Sequence, residues 1–178
     1  MINIILIAVA VIIVIFLVIV ALQSAKFRVS RTIVINALPP VVFDQVNDFH
    51  NWASWSPWAK LDPAMKLIYD GPPAGAGASY AWTGNKEVGE GRMKIIESRP
   101  SDLVRIKLEF LRPFKATNTA EFLFKPEGDQ TAVTWSMFGD KNFIFKAVHL
   151  FINMDKLVGR DFEKGLAQMK SVTEAVTK

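Results

Sequence analysis

The chain opens on an unbroken apolar run. From Ile2 to Leu22 it reads INIILIAVAVIIVIFLVIVAL, with Asn3 as its only polar residue. About 20 apolar residues suffice for a helix to cross the hydrocarbon core of a bilayer. Inside lipid such a helix satisfies its own backbone groups, so β-branched richness does not argue against it. The pattern predicts one transmembrane helix over residues 2–22. A cleaved signal peptide competes with that reading. It needs a basic segment, a shorter apolar stretch and a small-x-small cleavage site. Here no Lys or Arg precedes the run, and Leu22-Gln23-Ser24-Ala25 is a poor site. The expected division is an anchor over residues 1–24 and one soluble domain over residues 25–178.

After the run the texture becomes that of a folded domain. Phe27–Ile35 is β-branched and partly alternating, which predicts a strand, and Asn36-Ala-Leu-Pro-Pro40 stops it. Val42, Phe43, Val46 and Phe49 then recur at helical spacing, with Pro40 suited to a first turn. Trp52, Trp55 and Trp58 follow three residues apart, and Pro57 ends any helix there. From Met65 to Phe138 short β-rich runs alternate with Gly, Pro, Asn and Asp turns. Strands are predicted near 66–69, 78–83, 89–97, 103–112, 116–125 and 132–138. Asn142–Phe151 reads as a short apolar helix or a lid.

The strand faces are legible because side chains alternate with a period of two. Val104, Ile106, Leu108 and Phe110 share one face, as do Ala120, Phe122 and Phe124, and Val133, Trp135 and Met137. Tyr80 pairs with Trp82 in this way, and Met93 with Ile95. One apolar face of an antiparallel sheet needs a cover. Met154, Leu157, Val158, Phe162, Leu166 and Met169 supply it as the stripe of a long amphipathic helix. Gly159 and Gly165 in that helix mark either close packing or a bend. The predicted fold is α+β: a curved antiparallel sheet gripping a long C-terminal helix with a cavity between them, plus the N-terminal transmembrane helix.

Charge adds little to this picture. The net charge of +4 is modest, and Lys and Arg are scattered among Asp and Glu. A solvated surface explains them, and no nucleic-acid partner is expected. Lys26, Arg28 and Arg31 follow the span, and the positive-inside rule then places the soluble domain on the cytoplasmic side. Arg28 and Arg31 fall within the first predicted strand, which weakens that count. The chain has no Cys, so disulfide and thiol chemistry are excluded and offer no test of compartment.

Candidate chemistry is sparse. His50 and His149 are the only histidines, and nothing joins them into a metal signature. Ser54, Ser56 and Ser79 lack a nucleophile-elbow setting, and Gly75-Ala-Gly77 is a turn rather than a phosphate loop. Of the strand carboxylates Glu97, Glu109 and Glu121, alternation puts Glu109 and Glu121 on the wet face. Asp155, Asp161 and Glu163 lie near the start of the long helix, where capping or local pairing explains them. No metal, no cofactor and no catalytic residue is assigned.

Several segments together resemble the SRPBCC superfamily, the START-like or helix-grip fold, and within it the polyketide cyclase/dehydrase-like proteins. The resemblance rests on Arg31–Ala37 with Pro40–Phe43, on Val46–Trp58, and on Gly71-Pro72 with Gly75–Tyr80. It continues through Ala120–Gly128, Thr131–Trp135 and Met154–Leu166, so it covers about residues 27–170. It implies a hydrophobic cavity for a small apolar ligand, and places the Trp52, Trp55 and Trp58 segment beside the cavity mouth. Those tryptophans could also plug the core or rest at a membrane interface. The further ligand-cavity candidates are Tyr80, Trp82, Met93, Leu108, Phe110, Phe122, Trp135, Met137 and Phe162, core residues first and ligand contacts second. The expected function is a membrane-anchored binding module for a hydrophobic small molecule or lipid. The alternatives are a polyketide cyclase/dehydrase-like enzyme and a scaffold with a filled core whose protein partner is unknown.

Overall fold

A computed structural model describes residues 2–176; the chain ends, residues 1, 177 and 178 of the two expected segments, lie outside the described residues. The apolar run forms helix α1 (Ile2–Leu22), whose side chains from Ile4 onward are nearly all exposed apart from buried Val20. Among the described residues it is the one helix long and apolar enough to cross a membrane. Three residues later strand β1 (Lys26–Ile35) begins.

Helix α2 (Pro39–Asn47) starts on two prolines, whose missing N–H groups fall where a helix leaves donors unpaired anyway. A 3-10 turn (Phe49–Asn51) follows, opened by Asp48, whose side chain accepts from the His50 backbone N–H. Helix α3 (Trp52–Trp55) stops at Ser56, before Pro57. Six strands come next: β2 (Lys66–Asp70), β3 (Ser79–Thr83), β4 (Glu90–Arg99), β5 (Leu103–Arg112), β6 (Ala116–Glu127) and β7 (Gln130–Asp140). Two helices close the chain, α4 (Phe143–Phe151) and α5 (Met154–Val176).

The seven strands form one antiparallel sheet in the order β1-β7-β6-β5-β4-β3-β2, curved around α5. The expected α+β helix-grip architecture is the observed one. The inner face carries the apolar alternation: Ile95, Val104, Ile106, Phe122 and Val133 are all fully buried. A register shift between Ile95 and Glu97 puts Glu97 on the outer face directly after the outward Ile96, so the alternation slips by one residue there.

The outer face is ionic, and its pairs follow from the register. Glu121 stands opposite Arg105, and Glu109 opposite Arg92. Arg105 bonds both Glu97 and Glu121, Arg28 reaches Glu121 at 3.2 Å, and Arg92 reaches Glu109 at 2.7 Å. Glu109 and Glu121 thus lie on the polar face as expected. Glu121, however, is buried beneath the two guanidinium groups rather than solvated. Arg92 and Lys107 together hold the Glu109 carboxyl below the usual range.

The helix glycines mark close packing. A Cβ on Gly165 would lie 2.9 Å from the Trp135 ring and 3.0 Å from Pro57. A Cβ on Gly159 would collide with the Arg31 guanidinium. That guanidinium clasps α5 to β1: it bonds Asp155 at 3.0 Å and Glu163 at 2.6 Å.

Candidate functional site

The sheet, α3 and α5 enclose a cavity of about 450 Å³. It occupies one half of the inner face. In the other half, α2 fills the space: Val42 and Val46 are fully buried, and Phe43 packs edge-on against Phe124 at 5.5 Å. In the cavity half, α2 has ended and smaller contacts remain.

Each wall comes from a different element. From β3 and β4 come Tyr80, Trp82 and Met93; from β5, Leu108 and Phe110. Ala120, Trp135 and Met137 line it from β6 and β7. Trp52 and Trp58 close it from the α3 side, and Leu157, Val158, Asp161 and Phe162 from the first turns of α5. Ten of the residues singled out from the sequence therefore border this space: Trp52, Trp58, Tyr80, Trp82, Met93, Leu108, Phe110, Trp135, Met137 and Phe162. Trp55 and Phe122 do not border it. Both are fully buried behind the wall, packed edge-on to each other at 6.1 Å.

The aromatic wall is ordered by stacking. Trp135 lies between Phe162, 4.0 Å away and nearly parallel, and Phe122, 4.9 Å away. Trp52, Trp55 and Trp58 meet it edge-on. Such edge and offset contacts follow the ring quadrupoles and stiffen the wall. Three indoles have their N–H satisfied by backbone: Trp52 by the Val46 carbonyl, Trp55 by that of Gln45 and Trp82 by that of Val88. Trp135 Nε1 is buried with no hydrogen-bond partner. The cavity's width beside Trp82 depends on Gly91, where a Cβ would come within 2.5 Å of the indole and of the Glu109 carbonyl.

Polar groups on the lining are few: Ser56, Tyr69, Tyr80, Glu87 and Asp161. Burial, with Tyr69 adjacent, pushes the Tyr80 hydroxyl up to about 12, so it stays a neutral hydrogen-bond donor at any physiological pH. The sequence reading does not place Tyr69, Leu157 or Asp161 among the cavity residues: it takes Leu157 as part of the covering stripe and Asp161 as capping or local pairing. Leu157 lies on the α5 stripe, four residues before Asp161, and this spacing could have suggested both. Tyr69 sits on edge strand β2, opposite Tyr80, and only the register brings it in.

The histidines lie apart. His50 Nδ1 is 2.7 Å from Asp48 and its ring stacks on Tyr69. His149 sits on α4, where burial and the nearby Lys141 charge hold its pKa down. Among the described residues no group of three or more His, Asp and Glu is placed to hold a metal ion.

A helix-grip sheet with an aromatic cavity under its long helix defines a class of protein with many members. The chain matches the model of the family described as polyketide cyclase/dehydrase and lipid transport over residues 26–174, and it belongs to that family. Among solved structures it is similar to the ZhuI aromatase/cyclase from Streptomyces sp. R1128, at 11% identity and a TM-score of 0.61, covering 86% of this chain and 96% of that one. It is likewise similar to TTHA0849 from Thermus thermophilus, at 18% identity and a TM-score of 0.60, over 85% of this chain and 100% of that one. A third is DynU16, from the dynemicin biosynthetic locus, at 13% identity and a TM-score of 0.58; the match covers 85% of this chain but 48% of that one. At these identities the likeness is one of fold. No curated protein matches the chain by sequence.

Proposed function

We propose that this protein is a membrane-anchored binding module for a hydrophobic small molecule or lipid. The observation that carries the reading is the cavity: about 450 Å³, walled by aromatic and aliphatic side chains, with few polar groups. Ligand sites of small molecules have this size and this character. The ligand-contact set is Trp52, Trp58, Tyr80, Trp82, Met93, Leu108, Phe110, Trp135, Met137 and Phe162, with Trp55 and Phe122 supporting the wall from behind. The scaffold reading, with a filled core, has no support from this open space.

The anchor belongs to the same proposal. Residues 1–24 hold the chain in a bilayer and residues 25–178 form the binding domain. The exposed apolar surface of α1 supports a span, since the domain leaves nearly all of it uncovered. The basic residues Lys26 and Arg28 after the span support a cytoplasmic domain. Protection of the domain from added protease in intact cells, and its loss on lysis, is the expected result.

A catalytic reading has equal support from the comparisons, one neighbour being an aromatase/cyclase. Within the cavity it is favoured by the neutral Tyr80 hydroxyl, which can donate to a ligand carbonyl, and by the Asp161 carboxylate on the wall. Cyclisation needs a proton acceptor and a donor close to the reacting carbons.

Native mass spectrometry of the full chain, gently released from its own host, tests binding. A retained apolar molecule is the expected result. Titration of the delipidated chain with fatty acids, phospholipids and quinones, read by tryptophan fluorescence, is the second arm. No retained mass and no saturable response to any class would sink the binding reading. Conversion of a poly-β-ketone thioester to a cyclised product, lost in Tyr80→Phe or Asp161→Asn, would move the assignment to catalysis.

A further inference from the structure

The register shows that one end of the sheet gathers features the binding reading leaves unused. Lys26 stands opposite Asp140, Asn118 opposite Gly139, Phe110 opposite Ala116 and Glu90 opposite Arg112. The start of β1, the end of β7, the β5–β6 turn and the β3–β4 turn therefore share one end. This is the end where α1 joins the domain. It is also the half that holds the cavity, since Trp82, Leu108, Phe110 and Met137 all lie toward it.

Two further elements sit here. Helix α4 packs on the last turns of α1: the Phe151 ring stacks on Phe16 at 6.3 Å, and Lys146 Nζ donates to the Ala21 carbonyl at 3.3 Å. Every exposed residue of α4 is apolar, namely Phe143, Ile144, Val148, Leu150 and Phe151. Ile144, Val148 and Phe151 form one stripe at helical spacing. The end of β5 adds Leu111 and the β5–β6 turn adds Phe114, the latter 73% exposed, and Leu157 on the cavity wall is 56% exposed.

We propose that this end of the domain is seated in the bilayer surface, with α4 lying in the interface and the cavity mouth turned toward the lipid. The proposal rests on the reading of α1 as a span, and it names the membrane as the source of the ligand. The depth is consistent. Phe16 lies six residues before Leu22, about 9 Å inside the end of the helix. A ring stacked on it sits at the depth of about 5–10 Å to which interfacial helices bury their apolar face. Lys26, Lys141 and Lys146 lie around α4 and the end of α1, where they meet anionic headgroups. Arg112 at the end of β5 and Lys115 in the β5–β6 turn continue that basic rim, although Arg112 also pairs with Glu90 at 2.6 Å.

The absence of native Cys permits a direct test on the full chain. Single substitutions Ile144→Cys, Phe151→Cys and Phe114→Cys carry an environment-sensitive fluorophore in phosphatidylcholine/phosphatidylglycerol vesicles. Ala10→Cys reports on the span, and Asp129→Cys reports on the opposite end of the sheet. Shallow nitroxide lipids should quench the probes at 144, 151 and 114 about threefold or more over that at 129, with matching protection from an aqueous quencher. The probe at 10 should respond to deep nitroxide lipids. Quenching at 10 with 144 and 151 as open to water as 129 would overturn this proposal and leave the anchor standing. A lipid-quenched 144 and 151 with a water-exposed 114 would overturn the orientation of the mouth. A water-exposed 10 would remove the anchor and this proposal together.

Discussion

The inner face of the sheet has two halves built on the same alternation, one solid and one hollow. In the solid half, Ile35, Phe124 and Val133 meet Val42, Phe43 and Val46 of α2, and all six are buried in one core. In the hollow half, Leu108 and Phe110 project from β5 and Met137 from β7, but α2 has ended and the rings of Trp52, Trp58 and Phe162 bridge the gap from a distance. The strand sequences barely distinguish the halves. What differs is the cover, and a cover that spans without filling makes a cavity.

Breaking the solid half should have the largest effect. Phe124→Ala removes a buried ring from a site with no room to relax, at a cost of about 3–5 kcal/mol. Chemical denaturation should show a correspondingly lower midpoint. In the hollow half, Leu157→Ala should stay within about 0.5 kcal/mol in the same assay, since that side chain is largely exposed. An equal loss at both positions would erase the distinction.

Overfilling sharpens it from the other side. Gly91→Ala pushes a methyl into the Trp82 ring and the Glu109 carbonyl, at a cost of about 1–3 kcal/mol. It should also narrow the cavity and weaken ligand retention in native mass spectra. Gly165→Ala meets the Trp135 ring and Pro57, and should lower the midpoint although alanine is the better helix former by about 1 kcal/mol.

A gentler change is Tyr80→Phe, which deletes one hydroxyl. Ligand affinity should fall about fivefold, the worth of about 1 kcal/mol for a hydrogen bond to an uncharged acceptor, with stability almost unchanged. An unchanged affinity would take that hydroxyl out of the contact set.

The smallest effect concerns the clasp between β1 and α5. Arg31 holds the Asp155 carboxyl below its ordinary value. A carboxyl depressed in the folded state contributes stability above its unfolded pKa of about 3.9 and loses it as the pH falls through the folded value. Denaturation midpoints of Asp155→Asn and the parent chain should therefore differ slightly at neutral pH and converge as the pH falls through the depressed folded value.

The sequence reading reached the fold because each strand of the inner face keeps its period. Val104, Ile106, Leu108 and Phe110 declare their side without help, and Met154–Met169 declare the cover. The site was only partly legible. Three tryptophans at equal spacing give no hint that Trp55 is walled in while Trp52 and Trp58 face the space, because a four-residue helix and a proline set their directions. The burial of Glu121 follows from its register against Arg105 and the reach of Arg28 from a third strand, neither of which a single segment contains. The gaps filled by Gly91 and Gly165 depend on partners far along the chain.

Only Gln23, Ser24 and Ala25 separate α1 from β1, and the Lys141 backbone N–H already holds the Ala25 carbonyl at 2.6 Å. Three extended residues reach about 10 Å. With α1 in a bilayer, a domain on so short a leash cannot swing outward or ferry cargo to a second membrane. If the cavity holds a ligand as proposed, exchange would then be confined to neighbours in the same sheet of lipid, and an enzyme or carrier receiving that ligand would have to come to it.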